Sequence, residues 1–256
     1  MSPDPPSPRH PADHPRRVLL EIAILFVATC GLIRLFLVVR DAVPLGNNWQ
    51  IVVPFLFIFA PVAAAKVTGR AVHPDITLPE PLGRELLRAC WTTVKVVAVI
   101  YPLFVLGNHL YLGWGLPWFT GLVFGAERAF AAHEPWHGLP EDLFQIILWQ
   151  LIAVGYAEEY FYRGYMQTRL KNAFGAARWR FLGADIGAPF WITALLFTAG
   201  HSLVQFQWWQ PAIFFPALVF GWLRERTGNV LAAALFHAFS NVAMITLDAI
   251  YGIPGA

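Results

Sequence analysis

The sequence predicts an all-α fold: a polytopic membrane bundle of about seven transmembrane helices, with the N-terminus in the cytoplasm. Three observations predict it. Hydrophobic residues make up 57% of the 256 and charged residues only 13%, against about 25% charged in ordinary soluble domains; mean hydropathy is +0.53. The apolar residues gather into seven runs close to the ~20 residues that cross a bilayer as helix. Finally, Lys and Arg collect in alternate connecting segments, as the positive-inside tendency requires.

The elements follow in order. Residues 1–17 contain Pro3, Pro5, Pro6, Pro8, Pro11 and Pro15, a density that neither helix nor sheet accepts, and read as a disordered cytoplasmic tail. The first span, 18–39, is too long for a cleaved signal peptide and has no small-x-small cleavage site, so it reads as a retained anchor. Val27-Ala28-Thr29-Cys30 is a poor match to a lipoprotein signal, because Thr29 fits badly and the apolar run continues. The other spans are expected at 49–65, 89–113, 142–162, 189–207, 210–223 and 230–251. The sixth is short and bounded by Gln210-Pro211, which suits a tilted or re-entrant segment. Residues 116–124 are half the needed length and suit an eighth, short interfacial helix. The chain therefore divides into the tail, an N-terminal set of membrane helices with an outside loop (18–141), and a C-terminal helix core (142–251).

Thirteen of the 18 Lys and Arg fall on the predicted inner side: Arg9, Arg16 and Arg17; Lys66, Arg70, Arg84 and Arg88; Arg169, Lys171, Arg178 and Arg180; Arg224 and Arg226. Only Arg40 and Arg128 fall outside, while Arg34, Lys95 and Arg163 lie within spans. A net charge of +2 is too small to argue for nucleic acid. Cys30 and Cys90 lie in apolar spans without metal-ligand spacing, which leaves a disulfide framework unsupported. No internal repeat or matched pair of broken spans suggests a transporter.

Polar residues inside apolar spans are the functional candidates. Glu158 and Glu159 follow Leu143 to Ala157, a run without charge. Glu159 and Arg163, at i and i+4, share a helix face and can pair; Glu158 lies about 100° round the axis. A solvated cap on the cytoplasmic end of the fourth span explains both acids as well as a buried site does. His201 lies about 18 Å along the fifth span and His237 about 10 Å along the seventh. Gly200 beside His201 permits close backbone approach, and Asn241 lies one turn from His237. Interhelical hydrogen bonding is the bland alternative for each. Bundled together, the three spans would bring an acid, two imidazoles and a carboxamide into one buried cluster.

His133-Glu134-Pro135-Trp136-His137 matches the H-E-x-x-H zinc pattern, but Pro135 disfavours the continuous helix that the pattern needs. With Gly138 and Pro140 following, it reads as an outside loop. Arg34 and Lys95 need packing partners or room to snorkel, though contact with a substrate carboxylate or lipid head groups is open to them. Phe206, Trp208 and Trp209 mark an outer interface.

Glu-Glu-x-x-x-Arg, Phe-x-x-x-His and His-x-x-x-Asn on successive helices resemble the CAAX-protease and bacteriocin-processing (CPBP) family of intramembrane glutamic endopeptidases, which includes the prenyl-protein CAAX endopeptidases. The motif residues are Glu158, Glu159 and Arg163; Phe197 and His201; His237 and Asn241. The resemblance covers about residues 142–251. It implies that Glu158 and His201 activate a water, that His237 and Asn241 stabilise an oxyanion, and that Glu159 pairs with Arg163 in support. It implies no cofactor. A zinc-dependent version with Glu158, His201 and His237 as ligands is the mechanistic alternative, since one Glu and two His with an open position suit catalytic zinc.

The resemblance further implies a substrate that is a membrane-anchored protein or a peptide, cut near its C-terminus or in a leader, with membrane lipid as the surrounding partner. A sorting tail of the kind handled by myxosortase-like members, a bacteriocin precursor and a membrane regulator are the open substrate classes. The expected location is the cell (inner) membrane of a bacterium. Two other readings stand beside the protease: a non-catalytic immunity or scaffold protein of the same family, and a transporter or proton relay through Glu158, His201 and His237. Asn241 argues against the relay, because an amide does not titrate.

Overall fold

A computed structural model describes residues 14–42, 50–69, 79–128, 137–175 and 179–253. Helix α1 (Pro15–Val39) starts three residues before the apolar run, because Pro15 sits in the first turn, where its missing N–H costs nothing. Val18, Ile22, Phe26, Cys30 and Ile33 are buried at helical spacing, while Leu20, Ile24, Val27, Leu35 and Val38 on other faces are 58–65% exposed. In water such a face would be a liability; in lipid it is ordinary. Helix α2 (Val52–Val67) packs beside α1. Within it Pro61 has no N–H to donate to the Phe57 carbonyl, so the ladder is interrupted near the site.

Helix α3 (Leu82–Leu110) passes through a π-helical turn, Tyr111–Gly115, into α4 (Leu116–Phe124). The short helix expected at 116–124 therefore forms, but as the continuation of a 43-residue helical run. Trp91 carries the Lys95 ammonium 5.4 Å from its ring centroid, a cation–π contact that suits a lysine among apolar neighbours. Arg34 donates from Nη1 to the Val204 carbonyl at 3.1 Å.

The helix expected at 142–162 does not end there. It runs from Leu143 to Phe174 (α5) as alternating stretches: α-helical Leu143–Trp149, π-helical Gln150–Gly155, α-helical Tyr156–Glu159, π-helical Tyr160–Gln167 and α-helical Thr168–Phe174. Every residue from Glu159 to Leu170 is buried. The two glutamates therefore sit mid-helix, and the solvated helix-end cap is excluded. Glu21 of α1 ties to α5 by accepting from the Tyr165 hydroxyl and from Arg169 Nη2 at 3.4 Å.

A two-stranded hairpin, β1 (Trp179–Phe181) and β2 (Ala184–Ile186), interrupts the all-helical pattern. Its two-residue turn places Leu182 at φ 47° and Gly183 at φ 82°, the doubly left-handed geometry that matches hairpin twist. Trp222 Nε1 and Arg226 Nη1 donate to the Phe181 and Leu182 carbonyls at 3.1 and 2.9 Å, seating the turn on the helix over Phe214–Thr227.

Helix α6 (Ala188–Val204) leads to α7 (Phe214–Thr227), which is closed by Gly228 in the left-handed region with its N–H on the Arg224 carbonyl. Helix α8 (Leu231–Ile250) packs against α3, α5 and α7. Among the described residues three helical runs, Pro15–Val39, Leu82–Phe124 and Leu231–Ile250, are long and apolar enough to cross a membrane; Val52–Val67 and Ala188–Val204 are shorter apolar helices. The two remaining expected spans fold as helix over 143–174 and 210–227, and each carries charge in its second half. The architecture is an all-α membrane helix bundle.

The α5–α8 crossing depends on one residue. A Cβ on Gly155 would lie 2.7 Å from the Ala234 carbonyl oxygen and 3.1 Å from the Ala238 Cβ. Small residues let membrane helices approach this closely, and backbone cannot yield as a side chain can. Gly155→Val is expected to destabilise the bundle by about 1–3 kcal/mol through overpacking. Thermal unfolding in detergent checks this; an unchanged midpoint would disprove the close crossing.

Candidate active site

Between its two π-helical stretches α5 turns Glu158 and Glu159 into different surroundings, a placement in keeping with π-helical turns clustering at functional sites. Glu159 and Arg163 have fully buried side chains, and Arg163 Nη1 donates to Glu159 Oε1 at 3.0 Å. Arg163 Nη2 donates to the Ala217 carbonyl at 2.9 Å. Its guanidinium carbon lies 4.3 Å from the Phe197 ring centroid and 5.2 Å from that of Phe220. The same Glu159 oxygen also meets His237 Nδ1 at 2.9 Å, and Phe220 stacks on the His237 ring at 4.6 Å and 13°. Glu159 thus joins α5 to α8, and Arg163 joins α5 to α7. The i,i+4 pair expected from spacing forms, with a third member that spacing on one helix does not reveal.

Glu158 is different. Its Oε2 is buried without a hydrogen-bond partner and faces His201 Nε2 of α6 at 3.9 Å. His201 Nδ1 lies 2.9 Å from the Phe197 carbonyl oxygen. A carbonyl only accepts, so Nδ1 donates there and Nε2 is the ring nitrogen turned toward Glu158. Gly200 makes room for this approach: a Cβ there would strike the Tyr162 hydroxyl and come within 3.3 Å of Phe26.

Asn241 Nδ2 donates to Gln150 Oε1 at 2.8 Å. Gln150 starts the first π-helical stretch of α5, so this bond holds the α8 carboxamide against the helix that bears both glutamates. Sequence reasoning passed over Gln150, although a polar side chain in an uncharged apolar run was signal enough.

Glu158 and His201 border one cavity of about 210 Å³; Glu158 also borders a second, of about 220 Å³. His237 and Asn241 line neither. The Phe197 ring packs against both imidazoles, with centroids 4.7 Å from His201 and 5.5 Å from His237. Among the described residues no three His, Cys, Asp or Glu side chains converge in a group able to hold a metal ion. His237 Nδ1 is engaged by Glu159, and its ring packs against Phe197 and Phe220. His133 and Glu134 of the H-E-x-x-H match lie outside the described residues. His137 is described, and its backbone N–H donates to the Ile250 carbonyl at 2.9 Å. Cys30 and Cys90 are both free.

The three polar motifs on α5, α6 and α8 therefore converge in space. Residues 140–243 match the family model of type II CAAX prenyl endopeptidase Rce1-like proteins. This segment belongs to the CAAX-protease (CPBP) family. No curated protein and no solved structure matches the chain. The family marks the segment as that of an intramembrane CAAX-type protease, a hydrolase, and with the apolar helices it makes the chain an integral membrane protein whose substrate is a protein.

Proposed function

We propose that this chain is an intramembrane endopeptidase of the glutamate type, residing in the inner membrane of a bacterium with its N-terminus in the cytoplasm. The observation that carries the reading is the separation of the two adjacent glutamates. Glu159 is tied to Arg163 and His237, whereas Glu158 Oε2 has no partner and faces a histidine nitrogen at 3.9 Å. That separation is too long for a direct hydrogen bond and fits a bridging water.

A water held there donates one hydrogen to Glu158 and one to His201 Nε2, which turns an oxygen lone pair toward a scissile carbonyl. Glu158 takes a proton as the water oxygen bonds to the carbonyl carbon, and the carbonyl oxygen becomes the oxyanion. The C–N bond then breaks as the proton passes from Glu158 to the leaving amine. His237 donates from Nδ1 to Glu159, so its Nε2 donates to an oxyanion as the doubly protonated ring. Asn241 has one amide N–H beyond the one given to Gln150. Fixed donors of this kind contribute about 10²–10³ in rate each in a water-poor site. The reading supplies no role for a resident metal.

The test uses the full chain in lipid vesicles with farnesylated and unmodified C-terminal peptides, read by mass spectrometry of the released fragments. Cleavage is expected with and without a chelator, and His201→Ala is expected to lower it about 100-fold or more. Undiminished cleavage by His201→Ala would overturn the mechanism. Loss with chelator, restored by zinc, would establish the metal-dependent version in its place.

A further inference from the structure

The two cavities at Glu158 share a wall. Val53 and Phe57, one turn apart on α2, line both, and Glu158 stands where they meet. Phe57 is 6% exposed, and its ring is held against Phe161 and Tyr162 at centroid distances of 5.1 and 5.9 Å. It is thus a fixed partition. Neither cavity, at about 220 and 210 Å³, reaches the 300–1,000 Å³ of a site for a drug-sized ligand; each is sized for one amino-acid side chain.

Their walls differ. The first is built from Pro54, Trp149, Ala153 and Val154, with Gln50 as its one uncharged polar side chain. The second adds Tyr162, His201, Gln205 and Gln210 to apolar residues of α1. Resting on the proposed peptidase reading, we infer that these cavities are two substrate subsites on either side of the scissile bond, and that Phe57 is the specificity-determining residue between them. The subsite against Trp149 takes an aliphatic or aromatic side chain. The subsite beside His201 takes a polar one. An extended peptide crossing the partition then lies with its backbone over Glu158, the position that hydrolysis needs. Helix α2 lies outside the segment matched by the family model, so selectivity comes from a different part of the chain than the polar site does.

The experiment measures kcat/KM of the full chain in lipid vesicles on peptides that differ only in the two residues flanking the cleaved bond. Wild type is expected to prefer an apolar residue at one flanking position and a polar residue at the other. Phe57→Ala joins the cavities and is expected to relax the preference for residue size by about 10-fold or more at both positions, since a single methylene in an apolar pocket already discriminates by that factor. Phe57→Leu should fall between. Val53→Phe, which fills the shared wall from the same helix face, should sharpen the preference toward smaller residues, and it carries the test if Phe57→Ala does not fold. A merely structural role would lower all rates together and leave their ratios unchanged. Unchanged ratios in folded variants, with wild type active, would overturn the subsite assignment alone; a wild type that cleaves no peptide would overturn it together with the peptidase reading.

Discussion

Glu158→Gln is expected to lower the cleavage rate by about 10²–10⁴, the range a positioned general base contributes, while leaving the fold intact. The amide matches the carboxylate in shape, so the cavity walls are unchanged. Glu158 Oε2 has no protein hydrogen bond to lose, and it faces a histidine nitrogen at 3.9 Å. What the substitution removes is the capacity to take a proton from water and return it to the leaving amine. Because that interaction is made in the transition state and not with bound substrate, kcat and kcat/KM should fall together with little change in KM. Thermal unfolding of the variant should match wild type. A Glu158→Gln protein that keeps more than a tenth of wild-type kcat would remove Glu158 from the chemistry.

The contrast between the two glutamates shows what was legible in the chain and what was not. The helical runs among the described residues were legible because an apolar stretch has one stable backbone solution in a membrane, hydrogen bonds satisfied within the segment; three of them reach membrane length. Their ends were less so. Helix α5 continues to Phe174 because Tyr165, Arg169 and Lys171 meet partners on α1, α7 and β2, with Glu21, Glu225 and Asp185 accepting. Those contacts exist only in the packed bundle.

The hairpin was illegible for a different reason. Three-residue strands carry no periodic signal, and the turn puts Leu182 at a positive φ that is rare outside glycine. At the site, helical spacing was enough to pair Glu159 with Arg163 on a shared face. It could not assign His237 to Glu159 or Asn241 to Gln150, since those bonds cross between α5 and α8 and depend on the close approach at Gly155. The roles of α1 and α2 in lining the cavities were equally hidden, because Cys30, Val53 and Phe57 read locally as ordinary lipid-span residues.

Arg163→Leu is expected to destabilise the fold by about 3–5 kcal/mol, the cost of leaving one charge of a buried pair without its partner. The Glu159 side chain is fully buried, and its Oε2 already has no hydrogen-bond partner. Losing Arg163 Nη1 leaves that carboxylate with His237 alone, and the Ala217 carbonyl loses its donor as well. Glu159→Leu should cost a similar amount, because it strands the guanidinium among Phe197, Phe220 and Tyr162, whose faces attract the cation but supply less than a carboxylate does. The double variant Glu159→Leu with Arg163→Leu tests the pair itself. With no charge left uncompensated, it should be more stable than either single variant, a coupling that independent sites would not show. It should still lack activity, since His237 Nδ1 no longer has the acceptor that orients the ring. Unfolding midpoints in detergent and peptide cleavage measured on the same four proteins decide the matter. Costs that simply add would show that the two residues do not act as a pair, and a stable, fully active double variant would show that Glu159 does not position His237.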